Sequence, residues 1–208
     1  MALVRIASIS SPFDRARLLA PAMDLVRRAL ALGLLPEREP VQRLDMALVR
    51  GIAERASAAG VGRDAALGIL ARPGVGERLA ELIERLGEAL AASPMPEREL
   101  KELARVFDLD ALATLSGTSA VSLRRYLAGT RRVPDAVAAR LHWLALVTGD
   151  LLGAYNEVGA RRWFERPRSA LDGRPPAHVL RGPWKPEDPD VERIRALAAA
   201  LAGVGAAT

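Results

Sequence analysis

Residues 112–134 read LATLSGTSAVSLRRYLAGTRRVP. Apolar residues at helical spacing precede Gly117, and a second segment of this kind begins after Ser119 and ends near Gly129. Glycine adopts a left-handed backbone at least cost, and serine is a preferred residue at the start of a helix. The stretch therefore predicts a helix, a tight turn and a second helix.

The second helix of this pair carries side chains suited to reading DNA, as in a helix-turn-helix motif, whose second helix enters the major groove. Leu123 and Leu127 are expected to anchor it to the core. Arg125 would then read guanine, and Val121 would contact a thymine methyl. Phosphate contacts, which give affinity without sequence information, are expected from Ser119, Thr130, Arg131 and Arg132. The complete predicted DNA-binding set is Ser119, Ala120, Val121, Ser122, Arg124, Arg125, Thr130, Arg131 and Arg132.

Positive charge is concentrated around this motif. The chain of 208 residues has a formal net charge of +5. Residues 1–100 carry fourteen arginines and thirteen acidic residues, whereas residues 118–140 carry five arginines and one aspartate. A local excess of this kind is typical of a phosphate-binding surface, and a solvated basic face without a binding role would give the same count.

The composition indicates a helical protein with a substantial core. Hydrophobic residues make up 50% of the chain, and alanine, leucine, arginine and glutamate dominate over β-branched and aromatic residues. There is no cysteine, which excludes disulfides, thiolate metal sites and cysteine nucleophiles. Neither a signal-peptide core nor a long uncharged apolar run is present, so we expect a cytoplasmic protein without a membrane span.

An all-α fold with three regions is predicted. They are an N-terminal helical region of unknown role (1–95), a helix-turn-helix domain (96–149) and a C-terminal module (150–208), with the first boundary in the proline-containing segment Ser93–Pro96. The predicted helices cover about 14–32 (with Pro21 as a candidate break), 41–59, 63–71, 75–92, 97–107, 110–116, 119–128, 134–149, 151–165, 175–181 and 188–202.

Several residues mark the expected helix ends. Pro40 and Pro96 suit the first turn of a helix. Asp108 or Asp110 can cap the helix that contains Leu112. Glycines suit the position after the last turn, and the candidates are Gly33, Gly60, Gly129 and Gly203.

One amphipathic stripe stands out in the N-terminal region. Leu79, Ile83, Leu86 and Leu90 recur at helical spacing and would lie on one side of a helix. The stripe is expected to be core or a self-association face. The N-terminal helices are therefore the first candidates for a dimer interface.

The central motif is similar to the Xre family of phage-repressor-like DNA-binding domains. The matching pattern is L-A-x-x-x-G-x-S-x-x-x-L-x-x-Y-x-x-G followed by Pro134, and it continues into VAARLHWLALVTG as the next helix, about 40 residues in all. Ser116 departs from the pattern, since the family usually has an aliphatic residue there. The resemblance implies a repressor that binds operator DNA. The alternative is a helical pair with surface arginines and no DNA-binding role.

The C-terminal module has its own pattern, W-F-x-x-P-x-x-x-L-x-G-x-x-P-x-x-x-L, which begins at Trp163. From the residues alone it indicates a compact helical unit in which Leu171 packs back and Pro175–Pro176 leads into a short helix. The module, over roughly 150–202, resembles the toxin-binding domain of the Xre/MbcA/ParS antitoxins.

This second resemblance implies a function. Members of the family neutralise RES-type toxins, which consume NAD or transfer from it, by occluding the toxin's active-site cleft, and they repress their own operon. By resemblance the chain is the antitoxin of a type II toxin–antitoxin system. The residues expected to face the toxin are Arg161, Arg162, Trp163, Arg166, Arg168, Arg174, Trp184 and Lys185. Trp163 also suits the module's own core, and Trp184 suits either a partner anchor or that core.

Catalysis is not expected. The two histidines, His142 and His178, lie in different modules, and His142 is expected to be structural or at the surface. No metalloprotease motif, phosphate-binding glycine loop or nucleophile elbow occurs, so no metal or cofactor is expected. The expected partners are double-stranded operator DNA, a cognate RES-type toxin and further copies of the chain, because dimers match two half-sites. Two alternatives remain: a stand-alone helix-turn-helix transcription regulator, and a structural adaptor whose helix-turn-helix is vestigial.

Overall fold

The computed structural model describes residues 4–35, 41–71 and 76–204. These residues form eleven α-helices and one two-stranded sheet, so the all-α prediction is confirmed. The chain divides into two compact units, Met1–Pro94 and Met95–Thr208. The helix-turn-helix and the C-terminal module fall within one unit. Among the described helices, none combines the length and apolar character that crossing a bilayer requires.

The first unit is helical with a small parallel sheet. Its elements are β1 (Val4–Ile9), α1 (Ala16–Ala31), β2 (Val41–Leu44), α2 (Met46–Ala58), α3 (Arg63–Leu70) and α4 (Glu77–Ala92). Helix α1 packs against α4, and α3 packs against both α2 and α4. The apolar stripe of α4 is fully buried in this core. Because these leucines and Ile83 already have partners within the unit, the stripe is core and not an exposed association face.

The sequence analysis did not predict the two strands. The predicted helix 41–59 is wrong in its first turn, which is part of a strand. Val41–Leu44 pairs in parallel with β1, with Leu44 opposite Ile9. Helix α2 begins only at Met46, because the Asp45 carboxylate accepts a hydrogen bond from the Leu48 amide at 2.9 Å. Pro40 lies outside the described residues.

Helix α1 is continuous through Pro21, so the candidate break at this residue is not observed. A proline inside a helix removes one hydrogen bond of the backbone. Buried apolar residues lie on both sides of it, including Leu18 and Leu25. Packing of this face against α4 therefore holds the helix together across the proline.

The second unit is built around one buried helix. Its elements are α5 (Pro96–Val106), α6 (Leu109–Ser116), α7 (Ala120–Leu127), α8 (Asp135–Leu152), α9 (Glu157–Glu165), a 3₁₀ turn (Ser169–Leu171), α10 (Pro176–Val179) and α11 (Pro189–Val204). Residues 141–149 of α8 are all buried. Helices α5, α6, α9 and α11 all pack against α8. The helix-turn-helix and the C-terminal module thus share a core.

Several helix limits in this unit differ from the predictions. Helix α8 continues past Gly149 to Leu152, so the expected boundary at 149/150 lies inside a helix. Helix α9 begins at Glu157 because the Asn156 side chain accepts a hydrogen bond from the Gly159 amide at 2.8 Å. Helix α11 runs through Gly203, which therefore does not end it. By contrast Gly33, Gly60 and Gly129 follow helix ends with positive φ, as predicted.

Candidate nucleic-acid interface and the C-terminal module

The turn between α6 and α7 has the predicted geometry. Gly117 has a φ of +61°. The Thr118 amide donates to the Ala113 carbonyl at 3.1 Å and the Gly117 amide to the Thr114 carbonyl at 3.4 Å. This pair of bonds is the Schellman arrangement that closes a helix on a left-handed glycine. Helix α7 then starts on Ser119, whose hydroxyl accepts a hydrogen bond from the Ser122 amide at 3.1 Å.

Helix α7 is held by buried side chains. Leu112 and Leu123 are fully buried, and Tyr126 is nearly so, while Leu127 is half-buried. Helices α5 and α6 both pack against α7. The unusual Ser116 is also fully buried, and its hydroxyl donates to the Leu112 carbonyl at 2.7 Å. A satisfied hydroxyl avoids the cost of an unpaired buried group, so the departure from the family pattern is accommodated.

The exposed face of α7 is narrower than predicted. Val121 is 53% exposed, and Arg124 and Arg125 are exposed with it. Residues three and four apart lie on one side of a helix, so these three side chains form a continuous surface. Ala120 and Ser122 are half-buried at the edges of that surface. We call Val121, Arg124 and Arg125 the exposed face of α7.

Hydroxyl groups at both ends of α7 are used within the chain. The Ser119 hydroxyl donates to the Ser122 hydroxyl at 3.0 Å in addition to capping the helix. The Thr130 hydroxyl donates to the Arg125 carbonyl at 3.1 Å. It supplements the second Schellman closure, in which the Thr130 amide donates to the same carbonyl at 3.0 Å and the Gly129 amide donates to the Tyr126 carbonyl at 3.1 Å. Both side chains stay exposed, so the structure gives them a capping role and leaves their predicted phosphate contacts as predictions.

The arginines around α7 form no ion pair with any other residue that the structure describes. Within the described part of the chain, none of Arg124, Arg125, Arg131 and Arg132 has a carboxylate within salt-bridge distance. Arg131 lies over the Tyr126 ring, with 5.9 Å from the guanidinium carbon to the ring centroid. Four unneutralised guanidinium groups around one helix make a surface of the kind that phosphates bind.

A segment of the C-terminal module braces the turn, which sequence reasoning did not foresee. The Trp184 indole Nε1 donates to the Leu115 carbonyl at 2.9 Å. Arg140 of α8 donates to the Trp184 carbonyl at 2.7 Å and to the Ser116 carbonyl at 3.3 Å. These donors occupy carbonyls at the end of α6, where a helix has no partners of its own. The position of α7 therefore depends on the loop that contains Trp184.

A buried acid–histidine pair joins α5 to α8. Glu99 is fully buried, and its Oε1 lies 2.6 Å from the His142 Nδ1. The same oxygen accepts a hydrogen bond from the Met95 amide at 2.9 Å, at the start of α5. His142 is thus structural, which was one of the two expectations. The sequence offered no signal for its partner, because the two residues lie 43 positions apart.

Several residues expected to face a toxin instead hold the module together. Arg161 donates to the Val106 carbonyl at 2.7 Å, at the end of α5. Trp184 is only 4% exposed, and its ring packs edge-on against Trp143. Trp163 is buried against Phe164. Their predicted toxin contacts remain predictions, and each side chain presents little surface to a partner in this structure.

Arg174 is part of an ion pair with α11. Its guanidinium donates to the Asp190 carboxylate at 2.7 Å, to Asp172 at 3.4 Å and to the Leu171 carbonyl at 3.1 Å. The hydrogen bond from Arg174 holds the pKa of Asp190 below its ordinary value, and the same bond raises the pKa of Arg174. Lys185 keeps an exposed side chain.

The other predicted toxin-facing arginines meet in a cleft. Arg162, Arg166 and Arg168 line a cleft of about 380 Å³ together with Tyr155, Asn156, Val158, Gly159 and Trp163. The Arg168 guanidinium lies 4.7 Å from the centroid of the Trp163 ring, and burial, with Arg166 nearby, lowers the pKa of Arg168. We call this the arginine cleft.

Comparison of the chain with protein-family models, with curated proteins and with solved structures found no match.

Proposed function

We propose that this chain is a DNA-binding transcriptional repressor and that it acts as the antitoxin of a type II toxin–antitoxin system. The DNA-binding part of the proposal depends on one observation above all. A capped, internally anchored helix α7 presents Val121, Arg124 and Arg125 to solvent, with no internal ion pair for either arginine within the described residues. Arginine pairs bidentately with the O6 and N7 atoms of guanine, and an apolar side chain suits the thymine methyl group.

The roles of the basic residues differ along the motif. Arg125 and Arg124 lie on the exposed face of α7 and are assigned to base edges in the major groove, which the second helix of such a motif enters. Arg131 and Arg132 lie beyond the end of α7 and are assigned to phosphates, which set position and affinity but carry no sequence information. Loss of a base-reading arginine should change the DNA sequence that the protein prefers. Loss of a phosphate-binding arginine should lower the affinity for all DNA sequences alike.

The antitoxin part is supported by the resemblance of residues 150–202 to a toxin-binding domain. Its partner would be a RES-type toxin, whose NAD-consuming active site the C-terminal module would occlude. The exposed cations of the module, Arg162, Arg166 and Lys185, are the side chains most available for that contact.

Co-expression with the product of a neighbouring gene tests the antitoxin assignment. We expect a stable complex on pull-down and relief of the growth defect that the neighbouring product causes alone. Arg162→Glu with Arg166→Glu should weaken the complex, whereas Arg195→Glu on α11, also exposed, should not. No complex and no rescue would overturn the antitoxin role and leave the DNA-binding role standing.

A stand-alone regulator is the second candidate, and one observation favours it. Trp163 and Trp184, the largest side chains of the expected toxin surface, are buried in the chain's own core. The loop that contains Trp184 supports the turn between α6 and α7, so the module has a structural role even without a toxin.

A further inference from the structure

The arginine cleft combines concave shape with unbalanced charge. Three of its eight lining residues are arginines, and none is acidic. Within the described residues neither Arg162 nor Arg166 has an ion-pair partner. A cleft of about 380 Å³ falls in the size range of small-ligand sites, roughly 300–1,000 Å³.

One arginine of the cleft is held in place before any ligand binds. Arg168 stacks on Trp163 and donates to the Trp163 carbonyl at 3.3 Å. Its Nε is buried and has no hydrogen-bond partner among the residues that the structure describes. A guanidinium fixed by stacking loses less freedom when it binds an anion than a mobile one does. Among the described residues no carboxylate pairs with this half-buried cation, and a bound anion would offset the cost of its partial burial.

The cleft also has an exposed apolar wall. Tyr155 is 40% exposed and Val158 is 45% exposed, and they are two of the five large hydrophobic side chains with substantial exposure in the described chain. Isolated exposed apolar residues are ordinary, but two that share a cleft with three arginines suit an amphipathic ligand.

We infer that the arginine cleft binds a small organic phosphate, with the phosphate on Arg162, Arg166 and Arg168 and an apolar or planar portion against Tyr155. A phosphomonoester carries a charge of about −1.5 to −2 at pH 7, which matches three guanidinium groups better than a single carboxylate does. Arginine also binds phosphate oxygens bidentately. This site goes beyond the repressor and antitoxin roles, since neither requires a small ligand. It shares Arg162 and Arg166 with the proposed toxin contact, so its test uses the chain without a partner protein.

Calorimetry on the full-length chain without DNA or a partner protein tests the inference, with adenosine monophosphate, adenosine and pyrophosphate as probes. We expect adenosine monophosphate to bind roughly tenfold or more tightly than adenosine, because hydrogen bonds to charged groups are worth more than neutral ones. The double variant Arg162→Gln and Arg166→Gln should weaken that binding by a similar factor. Arg195→Gln, which removes an exposed arginine outside the cleft, should leave it unchanged.

Tyr155→Ala separates the two halves of the site. This substitution should weaken the binding of adenosine monophosphate and leave the binding of pyrophosphate unchanged. Equal binding of adenosine and its monophosphate would overturn the inference, as would dissociation constants well above about 1 mM for both phosphates.

Two further results would also overturn it, because each would show that Arg162 and Arg166 bind acidic side chains or DNA phosphates in general and do not select a small organic phosphate. One is a glutamate-rich peptide that binds as tightly as adenosine monophosphate. The other is a weaker salt dependence of duplex-DNA binding in the double variant. Circular dichroism and thermal unfolding check that each variant is folded.

Discussion

At the scale of single residues, the buried and exposed sides of α7 have separate purposes. Leu123 is fully buried between α7 and the helices that hold it, whereas Val121 is 53% exposed on the same helix. The sequence predicted both, because leucine and valine two residues apart fall on different sides of a helix.

Leu123→Ala should lower the free energy of unfolding of the second unit by about 2–5 kcal/mol, since it leaves a cavity in the core. Denaturant titration followed by tryptophan fluorescence measures this, because all three tryptophans lie in that unit. Val121→Ala is the matched control and should change stability by no more than about 0.5 kcal/mol. Equal effects of the two substitutions would contradict the assignment of the buried side.

The ion pair between Arg174 and Asp190 should make the stability of the folded state depend on pH. The hydrogen bond from Arg174 depresses the pKa of Asp190 from its ordinary value of 3.8. A depressed carboxyl pKa stabilises the folded state above the unfolded-state pKa, and this contribution is lost as the pH falls through the folded-state value. The difference in stability between the natural chain and Asp190→Asn should therefore be largest at neutral pH and should decrease in acid, as the pH falls below 3.8 toward the depressed pKa of the folded state.

Denaturant titrations of the natural chain and of Asp190→Asn, each at acid and at neutral pH, measure this difference in stability. Asp172→Asn is the control, since Asp172 is 79% exposed and lies 3.4 Å from the same guanidinium. A difference that does not change between neutral and acid solution would contradict the ion-pair account.

At the scale of elements, the turn of the helix-turn-helix is fixed both by its own residues and by a distant loop. The sequence predicted the first part, because Gly117 and Ser119 are local signals for a helix end and a helix start. It could not predict that Arg140 and Trp184 would occupy the carbonyls at the end of α6, because contacts over 24 and 69 positions have no local pattern. The strands of the first unit were missed for the same reason.

Two glycines with similar positive φ angles, Gly117 at +61° and Gly129 at +68°, separate the local contribution from that of the distant loop. A Cβ at Gly117 would lie 2.6 Å from the Gly182 carbonyl oxygen, whereas a Cβ at Gly129 would have no neighbour within 4 Å. Gly129→Ala should cost about 1–2 kcal/mol from left-handed strain alone. Gly117→Ala should cost more, because it also displaces the Gly182 backbone.

Thermal unfolding and tryptophan emission compare the two variants. Displacement of the Trp184 loop should shift the emission of Gly117→Ala and leave that of Gly129→Ala unchanged. Equal losses of stability and unchanged emission in both would show that the loop does not brace the turn.

At the scale of the whole molecule, composition predicted the all-α class and proline marked the segment where the two units divide. The exposure of the candidate site residues was predicted in part. The arginines of α7 are exposed as expected, but the tryptophans and several arginines of the C-terminal module pack within the chain. Aromatic and arginine residues suit both cores and interfaces, so their type alone does not separate the two.

The expected oligomeric state of the chain follows from the geometry of DNA recognition. One helix-turn-helix contacts one half-site, so we expect a homodimer or a higher homo-oligomer on DNA. Light scattering at micromolar concentration, with and without duplex DNA, measures it. A monomer under both conditions would contradict this expectation.

The central claim, that α7 reads DNA, is tested most directly by selecting duplexes from a random pool with the full-length chain and measuring their affinity across a salt series. We predict one enriched sequence, affinity that falls steeply with salt, and a loss of about 1–3 kcal/mol together with relaxed preference at one base pair for Arg125→Ala. Arg195→Ala should bind like the natural chain. No enriched sequence, or binding that is indifferent to salt and to Arg125→Ala, would contradict the claim.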